Sequence, residues 1–424
     1  MRATPRLLTL AALATCLAIS LAMNLAVTFP ALAASTLLIR NATVHTLTSA
    51  GTLEHTDVLI NNGRITQIGT GLTAPQGSEV IEAAGRPVTP GLFGGLSALG
   101  LEEIGEEPRA DDYELRMGLR PEFDVSLAFT PQSAMLGVSR LGGITFAMVA
   151  PSPGGGMIAG QGAVALLDGT VTPAHALFIA MGGGVNNLSG GSRAAQYMLL
   201  AQAISEARQP KGLQPGDQRL LTPAGRTALA DYLSGTKPVV INVDRAADIR
   251  RVLAFARDQK LHLVISGGDE AWQVASELAG AKVPVILNPL DNLPESFDSV
   301  GATLQNAALL ARAGVKIAFT LDAEPYNIRK VRQAAGVAVA YGLPADEALA
   351  ALTRNPAEIF GVADRAGTLA AGRVADLVLW SGDPLDVTSL ADRVIIAGVD
   401  QPMRSRQTEL RDRYLPKVKA GQAR

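Results

Sequence analysis

Four polar residues stand where apolar runs give way to loops, a position from which a side chain can work on a ligand. Asp322 closes Phe319-Thr320-Leu321-Asp322-Ala323, just after the apolar run 315–319. A carboxylate there could serve as a general base. Its plainer role is capping a helix or pairing in a loop. Asn242 and Asp244 follow the run 238–241, and Asn288 opens the loop Asn288-Pro289-Leu290-Asp291-Asn292-Leu293-Pro294 after Leu287. We read Asp322 as the catalytic candidate and Asn242, Asp244 and Asn288 as substrate-binding candidates. Asp244 has a competing role as an ion-pair partner of Arg245 or Arg250, and Asn288 as a turn former.

Metal chemistry is poorly supplied. The chain has 4 histidines, His45, His55, His175 and His262, and none forms a pair at i, i+2 or i, i+4. A zinc site needs three or four nitrogen, sulfur or oxygen ligands, so neither a metal nor any other cofactor is expected. The acidic run Glu102, Glu103, Glu106, Glu107, Asp111 and Asp112 lacks the oxygen spacing of a calcium loop and reads as a solvated face. Gly154–Gly156 and Gly182–Gly184 could wrap an anion, but neither has a Walker or a dinucleotide-binding pattern. No Gly-x-Ser-x-Gly elbow offers another hydrolytic mechanism.

The elements that must position these residues fall into two kinds. Short strands occupy 36–40, 57–60 and 65–68, with Asn61-Asn62-Gly63 as a turn between the last two. The far end is similar, with strands at 375–380 and 394–397. Between these ends, apolar strands at 144–149, 238–243, 261–265, 283–287 and 315–319 alternate with helical stretches. The spacing of the later ones fits one strand and one returning helix each. Pro344-Ala345-Asp346-Glu347 opens one helix with acids in its first turn. Asn355-Pro356-Ala357-Glu358 reads as N-cap, first-position proline and capping glutamate of the next, with Gly361 as its stop. The strands of 150–237 are not placed by this reading.

Composition bounds the class. The 424 residues carry 37 basic and 39 acidic side chains, a net charge of −2, which provides no basic field for nucleic acid. Arg2, Arg6, a long apolar run and Ala31-Leu32-Ala33 have the layout of a secretory signal peptide over 1–33. The alternative is an uncleaved anchor, since the run is long enough to span a bilayer. Cys16, the only cysteine, lies within it, so a mature chain starting near Ala34 would hold no disulfide and must rely on a buried core. An exported, periplasmic location is expected.

Two blocks carry a family resemblance. The first is Asp57-Val58-Leu59-Ile60, Gly63-Arg64-Ile65 and Gly85-Arg86-Pro87-Val88-Thr89-Pro90-Gly91-Leu92. The second is Leu352-Thr353, Asn355-Pro356-Ala357, Gly367-Thr368-Leu369, Gly372-Arg373 and Ala375-Asp376-Leu377-Val378. With them the sequence resembles the amidohydrolase superfamily, in its exported, imidazolonepropionase-like branch. The resemblance implies an α/β fold: a distorted (β/α)8 barrel over 89–363, plus a small β-sandwich built from 34–88 and 364–424. It also implies one or two divalent metals held by a His-x-His pair on strand one, histidines on strands five and six, and an aspartate on strand eight. Carried onto this chain, those positions hold Leu96 and Ala98, Asn242, Gly267 and Asp322. The expectation is therefore a protein with a degenerate metal site that binds a small molecule without catalysis or with altered catalysis. The alternative is an active hydrolase of amide or cyclic amide bonds using Asp322 with an atypical metal or none. Expected partners are a small-molecule ligand or substrate and, among proteins, a second copy or a metal-competent homologue.

Overall fold

The computed structural model describes residues 36–103, 107, 111–209, 218–321 and 325–422; the leader and Asp322 lie outside them. Five strands come first: β1 (Leu37–His45), β2 (Thr52–Asn61), β3 (Arg64–Gly69), β4 (Glu79–Glu82) and β5 (Pro87–Pro90). The central region holds β6 (Leu92–Ser97), β7 (Glu114–Leu115), β8 (Ile144–Val149), β9 (Ser152–Pro153), β10 (Ile158–Leu166), β11 (Ala176–Ala180), β12 (Pro238–Val243), β13 (His262–Gly267), β14 (Val285–Leu287) and β15 (Ile317–Phe319). Three more strands follow: β16 (Leu377–Trp380), β17 (Ala391–Ile396) and β18 (Val399–Asp400). The helices are α1 (Ala134–Arg140), α2 (Arg193–Arg208), α3 (Pro223–Tyr232), α4 (Ala246–Gln259), α5 (Ala275–Ala281), α6 (Asn306–Arg312), α7 (Val331–Ala340), α8 (Ala345–Leu352), α9 (Arg354–Ile359) and α10 (Arg406–Gln422).

Strands from both chain ends share one sheet, in the order β18-β17-β16-β5-β1-β2-β3, with β4 also pairing β1. Asn62 (φ 51°) and Gly63 (φ 75°) make the tight β2–β3 hairpin, as a two-residue loop with both φ values positive requires. A side chain at Gly63 would also meet the Ala397 carbonyl oxygen at 2.6 Å. Arg332 of α7 docks the barrel on this sheet. Its guanidinium lies 5.1 Å from the Trp380 ring and donates to the Pro384 and Ser389 carbonyls at 2.8 Å each.

The second sheet is a nearly closed eight-stranded barrel, in the order β15-β14-β13-β12-β11-β10-β8-β6. The Leu96 amide donates to Thr320 Oγ1 at 3.0 Å across the seam between the first and last strands. β6 runs parallel to β8, and β11 through β15 are parallel, but β10 is antiparallel to both its neighbours. This reversal is the distortion. An antiparallel neighbour can be reached by a hairpin, so β8 passes to β10 without a crossover helix. The unplaced interval 150–237 thus contributes two barrel strands.

Inside the barrel, Phe93 stacks near Phe146 and Phe360 with ring centroids 5.2 and 5.9 Å away, and Val164, Val240, Val264 and Ile286 join them. Each side chain buried this way is worth about 1.5–3 kcal/mol, so this floor is a packed core and not a pore. α8 begins as expected, with Asp346 and Glu347 in its first turn. α9 does not. Its N-cap is Thr353, and Asn355, inside the helix, spends its amide on the Ile317 carbonyl at 2.9 Å. Asn355 ties α9 to β15 instead of capping, and Gly361 (φ +65°) follows the helix end.

Candidate functional site at the barrel mouth

Strand alternation decides which side chains reach the mouth. On β12, Val239 and Ile241 pack outward and Val240 inward, so Asn242 is next on the inner face. On β13, Leu263 and Ile265 pack outward and Val264 inward, which brings Ser266 to the same level, in register with Asn242. Phe178 and Ala180 of β11 and Leu96 of β6 complete the ring. Above them lies a cavity of about 500 Å³, also walled by Ser97, Ala98, Glu102, Tyr113, Ala150, Ser152, Leu321 and Pro325. Such a cavity at the carboxyl ends of barrel strands is where sites of this architecture form.

The loop after β6 is drawn over this mouth by the parallel pairing of β7 with β9. Three glycines make the seat. A Cβ on Gly154 would fall 2.5 Å from Glu114 Cγ, and one on Gly155 would fall 2.3 Å from the Met117 carbonyl oxygen. Gly154–Gly156 therefore lets two backbones approach and does not cradle an anion. Gly182–Gly184 does meet an anion, but an internal one: the Gly183 amide donates to Asp298 Oδ2 at 2.5 Å. Glu102, read from sequence as part of a solvated face, is 7% exposed and is a wall of the cavity.

The three candidates that lie among the described residues are not brought together. Asn242 lines the cavity, with its Nδ2 3.4 Å from the Ser266 carbonyl oxygen. Asp244 turns toward β13, where its Oδ1 accepts the Gly268 amide at 3.0 Å. Asn288 closes its own turn, donating to Asp291 Oδ1 at 2.8 Å and accepting the Leu290 amide at 3.2 Å. Asp322 is outside the described residues, although Leu321 and Pro325 on either side of it both line the cavity. Sequence reading passed over Ser266, Phe178, Glu102 and Tyr113. Ser266 was recoverable, since it stands two residues beyond the inward Val264. Tyr113 left no periodic signal; it stands just before β7, where its carbonyl accepts the Ser152 amide at 2.9 Å.

The described residues do not fit a histidine-held metal. Among them no three His, Cys, Asp or Glu side chains are grouped to hold an ion. The position after Ser266 is also filled: a Cβ on Gly267 (φ +79°) would lie 2.2 Å from Asp244 Oδ1 and 3.1 Å from Asn242 Nδ2. The four histidines are elsewhere. His45 bonds Thr52 Oγ1 at 3.0 Å and His55 bonds Asn41 Oδ1 at 2.9 Å, both in the terminal sheet. His262 begins β13, at the end of the barrel opposite the mouth. His175 precedes β11 at that same end, where burial, then Lys237, holds its pKa below the ordinary value. What the described residues of the mouth offer instead is a wall of mixed apolar and polar surface, with serine hydroxyls, the Glu102 carboxylate and the Asn242 side-chain amide, which carries both a donor and an acceptor.

Known proteins share this architecture. The model of the Amidohydrolase family matches residues 231–406. Amidohydrolase tasK of Hapsidospora irregularis is 29% identical over 150 residues, which is 35% of this chain and 15% of its own length. An imidazolonepropionase of Mesorhizobium japonicum is 33% identical over 153 residues, 34% of each chain. The match thus spans well under half the length of these curated relatives. Among solved structures, an amidohydrolase from Thermotoga maritima superposes with a TM-score of 0.77 at 27% identity, covering 87% of this chain and 100% of that one.

Proposed function

Because the chain belongs to the amidohydrolase superfamily, we propose that it is an exported member that binds a small amide, cyclic imide or peptide-like ligand at the barrel mouth, without a histidine-held metal. One observation carries this reading: Leu96, Ala98 and Asn242 line the cavity, and Asp244 fills the space a side chain at 267 would need. The Asn242 amide is the natural complement of an amide or imide edge, which likewise presents one donor and one acceptor. The apolar part of the wall supplies the rest of the binding energy, as in most small-molecule pockets. The arginines and apolar run of the first 33 residues support export. Pairing with a second copy or with a metal-competent homologue is part of the same reading.

A second reading keeps hydrolysis of carbon–nitrogen bonds. It is favoured by the sequence position of Asp322, between Leu321 and Pro325, which both line the cavity. Thermal-shift and calorimetric titration of the purified chain with lactams, cyclic imides and dipeptides separates the two. Saturable binding weakened at least tenfold by Asn242→Ala, with no turnover, supports the binding reading. Turnover lost in Asp322→Asn supports the hydrolytic one.

A further inference from the structure

Beside the mouth, the loops after β11 and β12 lead into α2 and α4. A separate cavity of about 250 Å³ lies between the first turns of these helices, lined by Arg193, Tyr197, Arg245, Asp248 and Arg251. Arg245, Asp248 and Arg251 are spaced three residues apart, so they share one face at the start of α4, while Arg193 and Tyr197 share one face of α2. Arg193 is fully employed: its Nε donates to Asp248 Oδ2 at 3.0 Å and its Nη2 to Asp298 Oδ1. Arg193 thus holds both carboxylates but offsets only one of their two charges, so Arg193, Arg245, Arg251, Asp248 and Asp298 together carry +1. Arg245 and Arg251 are exposed and make no ion pair among the described residues. The Tyr197 hydroxyl is enclosed without a hydrogen-bond partner. Burial, with Asp248 adding to it, pushes its pKa up to about 12, so it remains a donor.

We propose that this cavity binds the phosphoryl group of a small phosphate monoester. Arg245 and Arg251 carry guanidiniums that no carboxylate of the described residues occupies, and with the Tyr197 hydroxyl they offer the cavity donors for more than one oxygen of an anion. Planar guanidinium forks suit phosphate oxygens. The positive ends of a 16-residue and a 14-residue helix add to the field. Their first amides are partly taken, by Ser192 Oγ on Ala194 and by Glu270 on Ala246, so recognition falls to the arginines. Arg245 follows Asn242, a wall residue of the mouth, by three residues, which puts the subsite beside the mouth.

The test uses inorganic phosphate as the probe, by calorimetry at pH 8 and constant ionic strength, with acetate as the control. Saturable binding of one phosphate per chain is expected, with acetate at least tenfold weaker. Arg251→Gln should weaken phosphate at least tenfold, and Arg245→Gln with Arg251→Gln should abolish it. Both side chains are exposed, and circular dichroism checks that the variants fold. The Arg245→Lys/Arg251→Lys chain should retain intermediate binding, which keeps the test valid if the glutamine variants misfold. Absence of saturable binding, equal affinity for acetate, or unchanged binding in the double glutamine variant would each overturn the proposal.

Discussion

Gly267→Ala probes how the end of β13 is filled. Two costs follow from the structure. Alanine at φ +79° pays roughly 1–2 kcal/mol for left-handed backbone. Its Cβ would also stand 2.2 Å from Asp244 Oδ1, so that carboxylate must swing away and release the Gly268 amide it accepts at 3.0 Å. Losing a hydrogen bond to a charged acceptor costs about 1.5–3 kcal/mol. The single substitution should therefore destabilise the chain by roughly 3–4 kcal/mol. Asp244→Ala alone loses the same bond. In the double variant the collision is already relieved, so only the backbone term should be added. The two effects should fall short of additivity by about 2 kcal/mol, which is the signature of a shared volume. Urea unfolding of the four chains reads this directly, provided the denaturant slope stays constant. Effects that add to within about 0.5 kcal/mol would mean that Asp244 does not fill this space.

Three further outcomes are expected. Asp376 is buried at the join of β5 and β16, and desolvation pushes its pKa from 3.8 to about 7, against the Ala397 amide and Arg365, which lower it. The folded chain thus holds a proton that the unfolded chain releases, so stability is greatest below the unfolded value and falls by about 4 kcal/mol as pH rises to 7. Asp376→Asn keeps an oxygen for the Ala397 amide and should flatten the decline of Tm between pH 5 and 8; an unchanged decline would refute the assignment. Leu96→His with Ala98→His should not create a tight zinc site, since Asn242 and Gly267 still provide no imidazole; nanomolar zinc binding by that variant would say otherwise. Intact-mass analysis of the secreted protein should place its amino terminus at or near Ala34, whereas Met1 on membrane-bound protein would identify an anchor.

Much of the barrel was legible because β12 and β13 are apolar runs whose inner and outer residues alternate without interruption. β10 was not legible, for a physical reason. Gly160 and Gly162 interrupt its apolar run, and they are there because Cβ atoms would meet the Phe123 and Val149 carbonyl oxygens at 2.6 and 2.5 Å. Backbone crowding of this kind leaves no periodic trace. The same holds at Gly154 and Gly155, where a sequence rule for anion loops finds glycines that serve only close packing. Asn242 could be placed from strand position alone. Asp244 and Asn288 share that strand-end position, yet each bonds to nearby backbone or to its own turn, and strand position does not reveal which way such a side chain turns. Glu102 joined the wall through a loop fold that no local pattern announces.

Metal content is the most direct test of whether the mouth works without a histidine-held ion. Protein purified without chelators should carry far less than one zinc per chain by elemental mass spectrometry, and any turnover it shows should survive chelation. Stoichiometric zinc, together with chelator-sensitive amide or lactam hydrolysis that is lost in Asp322→Asn, would contradict this and make the protein an ordinary metallohydrolase.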